Sequence, residues 1–272
     1  MTGKRAATDL GPAHAVPRAL SRTWEQLGKT DPLWAVLSNR DRKRDGSMPW
    51  RVDEFMATGR AEIDAVLAHA RAQHPRLRTE RALDFGCGVG RLTQALAHHF
   101  TRVDAVDISA PMLAMAAQLN AHGERCSYQR NTRQDLQLFA SNTFDLVYSA
   151  ITLQHMVPRV ARRYLVELAR VLAPGGVLIF QLPAGPGRGW AASSNAAIRV
   201  LGRAKTWCMR RVWLVWQRTL RRRAVMDMFG IPRAEVVRLL QESGLEVLDV
   251  VENDQAGPDW ISCRYCARKP AP

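Results

Sequence analysis

The chain has 272 residues, 47% of them hydrophobic, with a formal net charge of +14. That suits one large domain, or a domain with a substantial insertion, with enough apolar material for a core. Five scattered cysteines argue against a disulfide framework and for a reducing, cytoplasmic setting. The first twenty residues lack the apolar stretch of a secretory signal, and VWLVW at 212–216 falls far short of the roughly 20 residues that cross a bilayer, so neither export nor a membrane span is expected.

Taken in chain order, Asp31 as a cap and Pro32 in a first turn predict a short helix in TDPLWAVLS, and 52–72 has a longer helical period. From Arg81 onward, strands alternate with helices. The strand RALDF precedes a glycine turn and the helix GRLTQALAHHF; RVDAVD then leads into PMLAMAAQLNAHG and the short strand CSYQ. FDLVYS follows, then a helix over 158–172 with Leu165, Leu168, Ala169 and Leu172 on one face, a stop at APGG (173–176) and the strand GVLIFQL. Such alternation predicts an α/β fold with a parallel sheet covered by helices on both faces.

After QLP the alternation breaks. AGPGRGW reads as a loop and 196–223 as one or two basic helices, with nine Lys and Arg residues and no acid between 199 and 223, so the basicity is largely local. A helix from Pro232 to a stop at Gly244 and the strands LEVLDVV and ISCRYCARK, a closing hairpin, resume the fold. The expected organisation is an N-terminal helical segment at 1–78 packing on the sheet or covering its ligand edge, a main domain at 79–183 and 231–269, and a basic helical insertion at 184–230. The lone CxxC of Cys263 and Cys266 lacks further ligands, reads as part of a terminal strand, and implies no metal.

Gly86, Gly88 and Gly90 form GxGxG directly after the first strand, where bare backbone lets a ligand approach the chain. Asp84 sits in that strand. Asp107 ends the next one, placed to accept hydrogen bonds from two ribose hydroxyls, as NAD or any adenosyl cofactor would require.

LDFGCGVGRL, VDISAPML, NTFDLVYSAITLQHM and RVLAPGGVLIF, in this order and spacing, resemble the class I S-adenosylmethionine-dependent methyltransferases. The resemblance covers about 80–182, and IPRAEVVRLLQESGLEV also fits. It implies a doubly wound, mostly parallel seven-stranded sheet with the last strand antiparallel, and S-adenosyl-L-methionine as cofactor. It also implies that the backbone of Gly86, Cys87, Gly88 and Gly90 cradles the cofactor, that Asp84 helps hold its ammonium, and that Asp107 binds the ribose beside Ile108 and Met112 at the adenine. The usual acid at the adenine edge is replaced by Thr132, leaving Asn131, Arg133, Gln134 or a backbone amide to serve. Ser149 is expected at the methionine end.

Gln154 and His155 are expected to face the acceptor, His155 either as a general base titrating near neutrality or as a hydrogen-bonding wall. SAIT stands where nucleobase-amine methylases carry an Asn/Asp-Pro-Pro-aromatic element, and no Pro-Cys element for cytosine C5 chemistry is present. The leading expectation is transfer to oxygen of a small molecule, namely a glycan, lipid-linked compound or secondary metabolite, with the basic insertion as an acceptor-side lid. The competing readings are an RNA methyltransferase using that insertion, peripheral contact with an anionic membrane, and a cofactor-binding protein without turnover. Trp190 and Trp260 are candidate aromatic walls.

Overall fold

The computed structural model describes residues 15–38, 49–187 and 226–271. The basic stretch 199–223 and Trp190 lie outside them. Three helices come first, α1 (Arg18–Thr30), α2 (Pro32–Val36) and α3 (Val52–Gln73). There follow β1 (Arg81–Phe85), α4 (Arg91–Leu96), β2 (Arg102–Asp107), α5 (Ala110–Gln118), β3 (Cys126–Arg130), β4 (Phe144–Ser149), α6 (Pro158–Val171) and β5 (Leu172–Pro186). After the undescribed segment come α7 (Arg233–Glu242), β6 (Glu246–Asn253) and β7 (Trp260–Arg268).

The strands form one seven-stranded sheet in the order β3-β2-β1-β4-β5-β7-β6. β7 runs antiparallel to both its neighbours and the other pairings are parallel. This is the architecture expected from the sequence. The strand order reverses between β1 and β4, so the chain opens a crevice there at the carboxyl ends of the strands.

Side-chain alternation along each strand builds two cores. On one face, Leu83, Val147 and Phe180 pack with α6 and α7; on the other, Ala82, Leu146 and Ile179 pack with α3 and α4. Cys263 and Cys266, three residues apart, fall on opposite faces and belong one to each core. Among the described residues no group of three His, Cys, Asp or Glu side chains is placed to hold a metal ion, and no helix is long and apolar enough to cross a membrane.

Local signals act as expected at several ends. The Asp31 carboxylate accepts from Trp34 N–H at 3.2 Å with Pro32 opening α2, and the Ser109 hydroxyl accepts from Met112 N–H at 3.4 Å to start α5. At 173–176 the structure departs from a simple helix stop. The strand starts at once at Leu172, opposite Phe144, and pairing then skips to Leu146 and Val177, so these four residues bulge out of the ladder.

The N-terminal helices are built into this body. α3 presses Gly59 onto α4, where a side chain would meet the Arg91 carbonyl at 2.5 Å. Buried Arg91 pairs with Glu62 of α3 at 2.8 Å, and the Tyr148 hydroxyl donates to the same carboxylate at 2.8 Å. α1 and α2 lie over the crevice, with Leu27 and Ala35 packed on Val89 and Met112.

Candidate functional site

After β1 the backbone enters the left-handed region at Gly86 (φ 81°) and Gly88 (φ 53°). Both turns are demanded by the protein itself. A Cβ on Gly86 would sit 2.2 Å from Thr152 and one on Gly88 2.6 Å from Val36, so the loop is wedged between the segment after β4 and α2. Gly86→Ala should therefore destabilise the fold by about 2–4 kcal/mol, from left-handed strain plus overpacking, read as a lower urea midpoint with unchanged slope.

The loop and the end of β2 form one clamp. Gly86 and Cys87 N–H groups donate to the Val106 carbonyl at 2.8 and 3.1 Å. The Asp107 carboxylate accepts from Gly88 N–H at 2.9 Å and, through its other oxygen, from Ser109 N–H at 2.8 Å. Each oxygen retains lone-pair capacity toward the crevice. Burial pushes the Asp107 carboxyl above its ordinary range against the pull of these N–H groups.

The crevice has a volume of about 750 Å³ including its open mouth. Gly86, Gly88, Asp107, Ile108 and Met112 form its base; Ile151, Thr152, His155 and Met156 form a second wall, and α1 and α2 close it with Leu20, Trp24 and Val36. Among the described residues Asp107 is the one carboxylate of the lining, which is otherwise mostly apolar.

Seven of the residues singled out from the sequence thus meet at the crevice, namely Gly86, Gly88, Asp107, Ile108, Met112, Asn131 and His155. Several others lie behind its wall. Strand alternation turns Asp84 under α4, 1% exposed, where it accepts from the Thr93 hydroxyl at 2.7 Å. The Ser149 hydroxyl donates to the Phe85 carbonyl at 2.9 Å. The Cys87 thiol is buried, and burial pushes its pKa well up, which suits a packing role and not a nucleophile. Gly90 opens α4 beneath the Tyr128 hydroxyl.

In the loop after β3 it is Asn131 that reaches the crevice, one residue before the aligned position. The Asn131 side chain accepts from Arg133 N–H at 3.0 Å and donates to the Asp135 carbonyl at 2.8 Å. That turn directs Thr132 to the N-terminal segment, where its carbonyl accepts from Val16 N–H at 2.9 Å, and sends Arg133 onto Asp135. Trp260 is not part of the lining.

His155 and Gln154 follow β4 in a short 3₁₀ turn. His155 Nδ1 lies 2.8 Å from the Asp227 carbonyl, and the Trp24 ring meets its edge at 5.2 Å. Burial lowers the His155 pKa, outweighing the opposing influence of Asp227. Gln154 stands behind it, bonded to Gln181 of β5 at 3.0 Å. Ile151 has φ 56°, unusual for a β-branched residue and the kind of strain that collects at ligand sites.

A family described as a methyltransferase domain matches residues 83–180, the stretch that supplies the glycine turn, Asp107 and the His155 wall. Residues 83–180 thus carry a methyltransferase domain. Trans-aconitate 2-methyltransferase of Deinococcus radiodurans is 34% identical to it over 139 residues, half of each chain. Malonyl-[acyl-carrier protein] O-methyltransferase of Enterobacter lignolyticus is 36% identical over 121 residues, 44% of each. The matched stretches thus span about half the length of these relatives or less. Magnesium protoporphyrin IX methyltransferase from Synechocystis PCC 6803, solved with bound SAH, shares the fold at a TM-score of 0.58 and 18% identity, over 91% of this chain and 97% of that one.

Sequence reasoning missed Val16, Leu20 and Trp24 as crevice walls, and it missed Gln181. Trp24 and Leu20 carried a faint signal, sharing one side of an otherwise charged helix. Gln181 carried a clearer one, a lone amide inside the apolar strand LIFQL.

Proposed function

We propose that the chain is an S-adenosylmethionine-dependent methyltransferase, working in a reducing compartment on oxygen of a small-molecule acceptor such as a glycan, lipid-linked compound or secondary metabolite. The observation that carries this reading is the Asp107 carboxylate, fixed by Gly88 and Ser109 N–H groups at the base of the crevice with lone pairs left for two ribose hydroxyls. Ile108 and Met112 offer apolar contact to an adenine, and the residues present fit the group. When bound, the cofactor supplies a methyl group already activated on a positively charged sulfur. The chain's own task is to align the acceptor and exclude water, for which Trp24, Met156 and the apolar walls are suited. A name that specifies O-methylation among the relatives supports oxygen as the acceptor atom. In this reading residues 1–78 cover the cofactor edge and 184–230 serve the acceptor side.

Calorimetry on the full chain should give one-site binding of S-adenosylmethionine and none of NAD; the reverse preference would overturn the assignment. Incubation with labelled donor and fractionated cell extract should then place label in a small molecule. Label in RNA, with affinity falling steeply as salt rises, would instead support the nucleic-acid alternative.

A further inference from the structure

Behind the crevice wall runs a chain of hydrogen bonds whose direction is fixed at both ends. Ile151 N–H donates to Gln181 Oε1 at 3.1 Å, and a backbone N–H can only donate. Gln181 therefore turns its amide nitrogen to the Gln154 Oε1 at 3.0 Å and the Ser262 hydroxyl at 2.7 Å. Gln154 then presents its own amide nitrogen to His155 Nε2 at 3.2 Å, which must accept. At the far end the Asp227 carbonyl can only accept, so His155 Nδ1 carries the proton. The two ends specify the same neutral tautomer.

We propose that Gln181 is a positioning residue which, through Gln154, holds His155 with Nδ1–H on the Asp227 carbonyl and Nε2 as an acceptor, keeping this wall of the crevice uncharged. Protonating Nε2 would set N–H against N–H. Rotating Gln154 to relieve that would move the conflict to Gln181, and rotating Gln181 would set it against the backbone of Ile151, which cannot rotate. The side chains of Gln154, His155 and Gln181 are buried, so water is a poor substitute partner. The titratable groups around the imidazole are Asp227 on the returning segment, with Asp107 and Tyr164 sharing the crevice. An imidazolium here would face a cationic sulfur in the same low-dielectric space. That consequence rests on the proposed donor; the tautomer itself does not.

The test is nuclear magnetic resonance on the full chain labelled with ¹⁵N-histidine, the His155 signals being assigned by their loss in His155→Gln. Wild type should show the Nδ1–H tautomer and stay neutral well below the ordinary histidine range. In Gln181→Glu one carboxylate oxygen keeps the Ile151 N–H while the other draws the Gln154 amide nitrogen, so Gln154 turns its oxygen to His155 and Nε2 gains a proton. Proton affinity at His155 should then rise roughly tenfold or more, and donor affinity should fall as His155 charges. Gln154→Glu reaches the same end by a shorter route and serves if the first variant does not fold. An Nε2–H tautomer in wild type, ordinary titration there, or unchanged titration in the folded variants would overturn the proposal. A role confined to packing would lower thermal stability without moving the titration. Absent donor binding in wild type would defeat the proposed function and leave the tautomer result standing.

Discussion

Asp107→Ala is expected to weaken S-adenosylmethionine binding by about 10²- to 10⁴-fold while leaving the chain folded. Two hydroxyls donating to one carboxylate are charge-assisted bonds worth about 1.5–3 kcal/mol each. The substitution also releases Gly88 and Ser109 N–H, which register the loop on β2. Folding should suffer far less, because the carboxylate is held above its ordinary range by burial and removing it also removes that desolvation cost. Asp107→Asn separates acceptor capacity from size. One end of the amide can still accept, but the other points N–H at N–H, so affinity should fall nearly as far as in the alanine variant. For the wild type, binding requires the ionised acid, so affinity should rise with pH to a plateau. It should decline with acidification at a higher pH than for an unperturbed aspartate. Calorimetric titration across pH reads both effects.

The sheet was legible because most of its strands contain a short apolar run bounded by a turn, and the alternation with helices leaves few topologies open. FDLVYS and RVDAVD are buried almost throughout and were bounded correctly from that continuity alone. The bulge at 173–176 was not legible as such. Two glycines after a proline read equally well as a helix stop, and only the pairing of Leu172 with Phe144 shows that the strand has already begun. The basic stretch at 199–223, the most distinctive feature of the composition, lies outside the described residues.

At the site, the parts fixed by local backbone geometry could be read from the sequence, and those fixed by packing between distant elements could not. Gly86, Gly88 and Asp107 stand within one turn of the strand ends that position them. Trp24 meets His155 only because α1 folds across the crevice, a contact over 131 positions that no spacing encodes. Asn131 displaces Thr132 and Arg133 from the crevice because its side chain closes a local turn, a one-residue shift beyond what alignment to a motif resolves. Gln181 had a visible anomaly but no visible partner, since its importance lies in Ile151 and Gln154 on other elements.

Asp84 should give the ligand-free chain an inverted pH profile. Its carboxyl is 1% exposed, Oδ2 accepts from the Thr93 hydroxyl and Oδ1 has no partner among the described residues, so the charged form is poorly solvated. Burial is the largest cause of a pKa raised to about 7, with Asp107 and Glu62 adding repulsion and the Thr93 hydroxyl and Arg91 opposing it. In the unfolded chain the same acid titrates at about 4. Between those values the folded state holds a proton that the unfolded state has released, so stability is full below the lower value and lost as pH rises through the upper. A displacement of this size corresponds to at most about 4 kcal/mol. Asp84→Asn should flatten the profile, and denaturant midpoints from pH 4 to 8 measure it. Donor binding tests whether the unpartnered oxygen meets the ligand. If Asp84 ionises to receive the methionine ammonium, the wild type should release about one proton more on binding at pH 6.5 than the asparagine variant, seen by comparing heats in two buffers of unlike ionisation enthalpy. Equal proton release by the wild type and the asparagine variant would leave Asp84 as a buried acid held neutral beneath the glycine turn, and the ammonium would have to be met by backbone carbonyls of that turn.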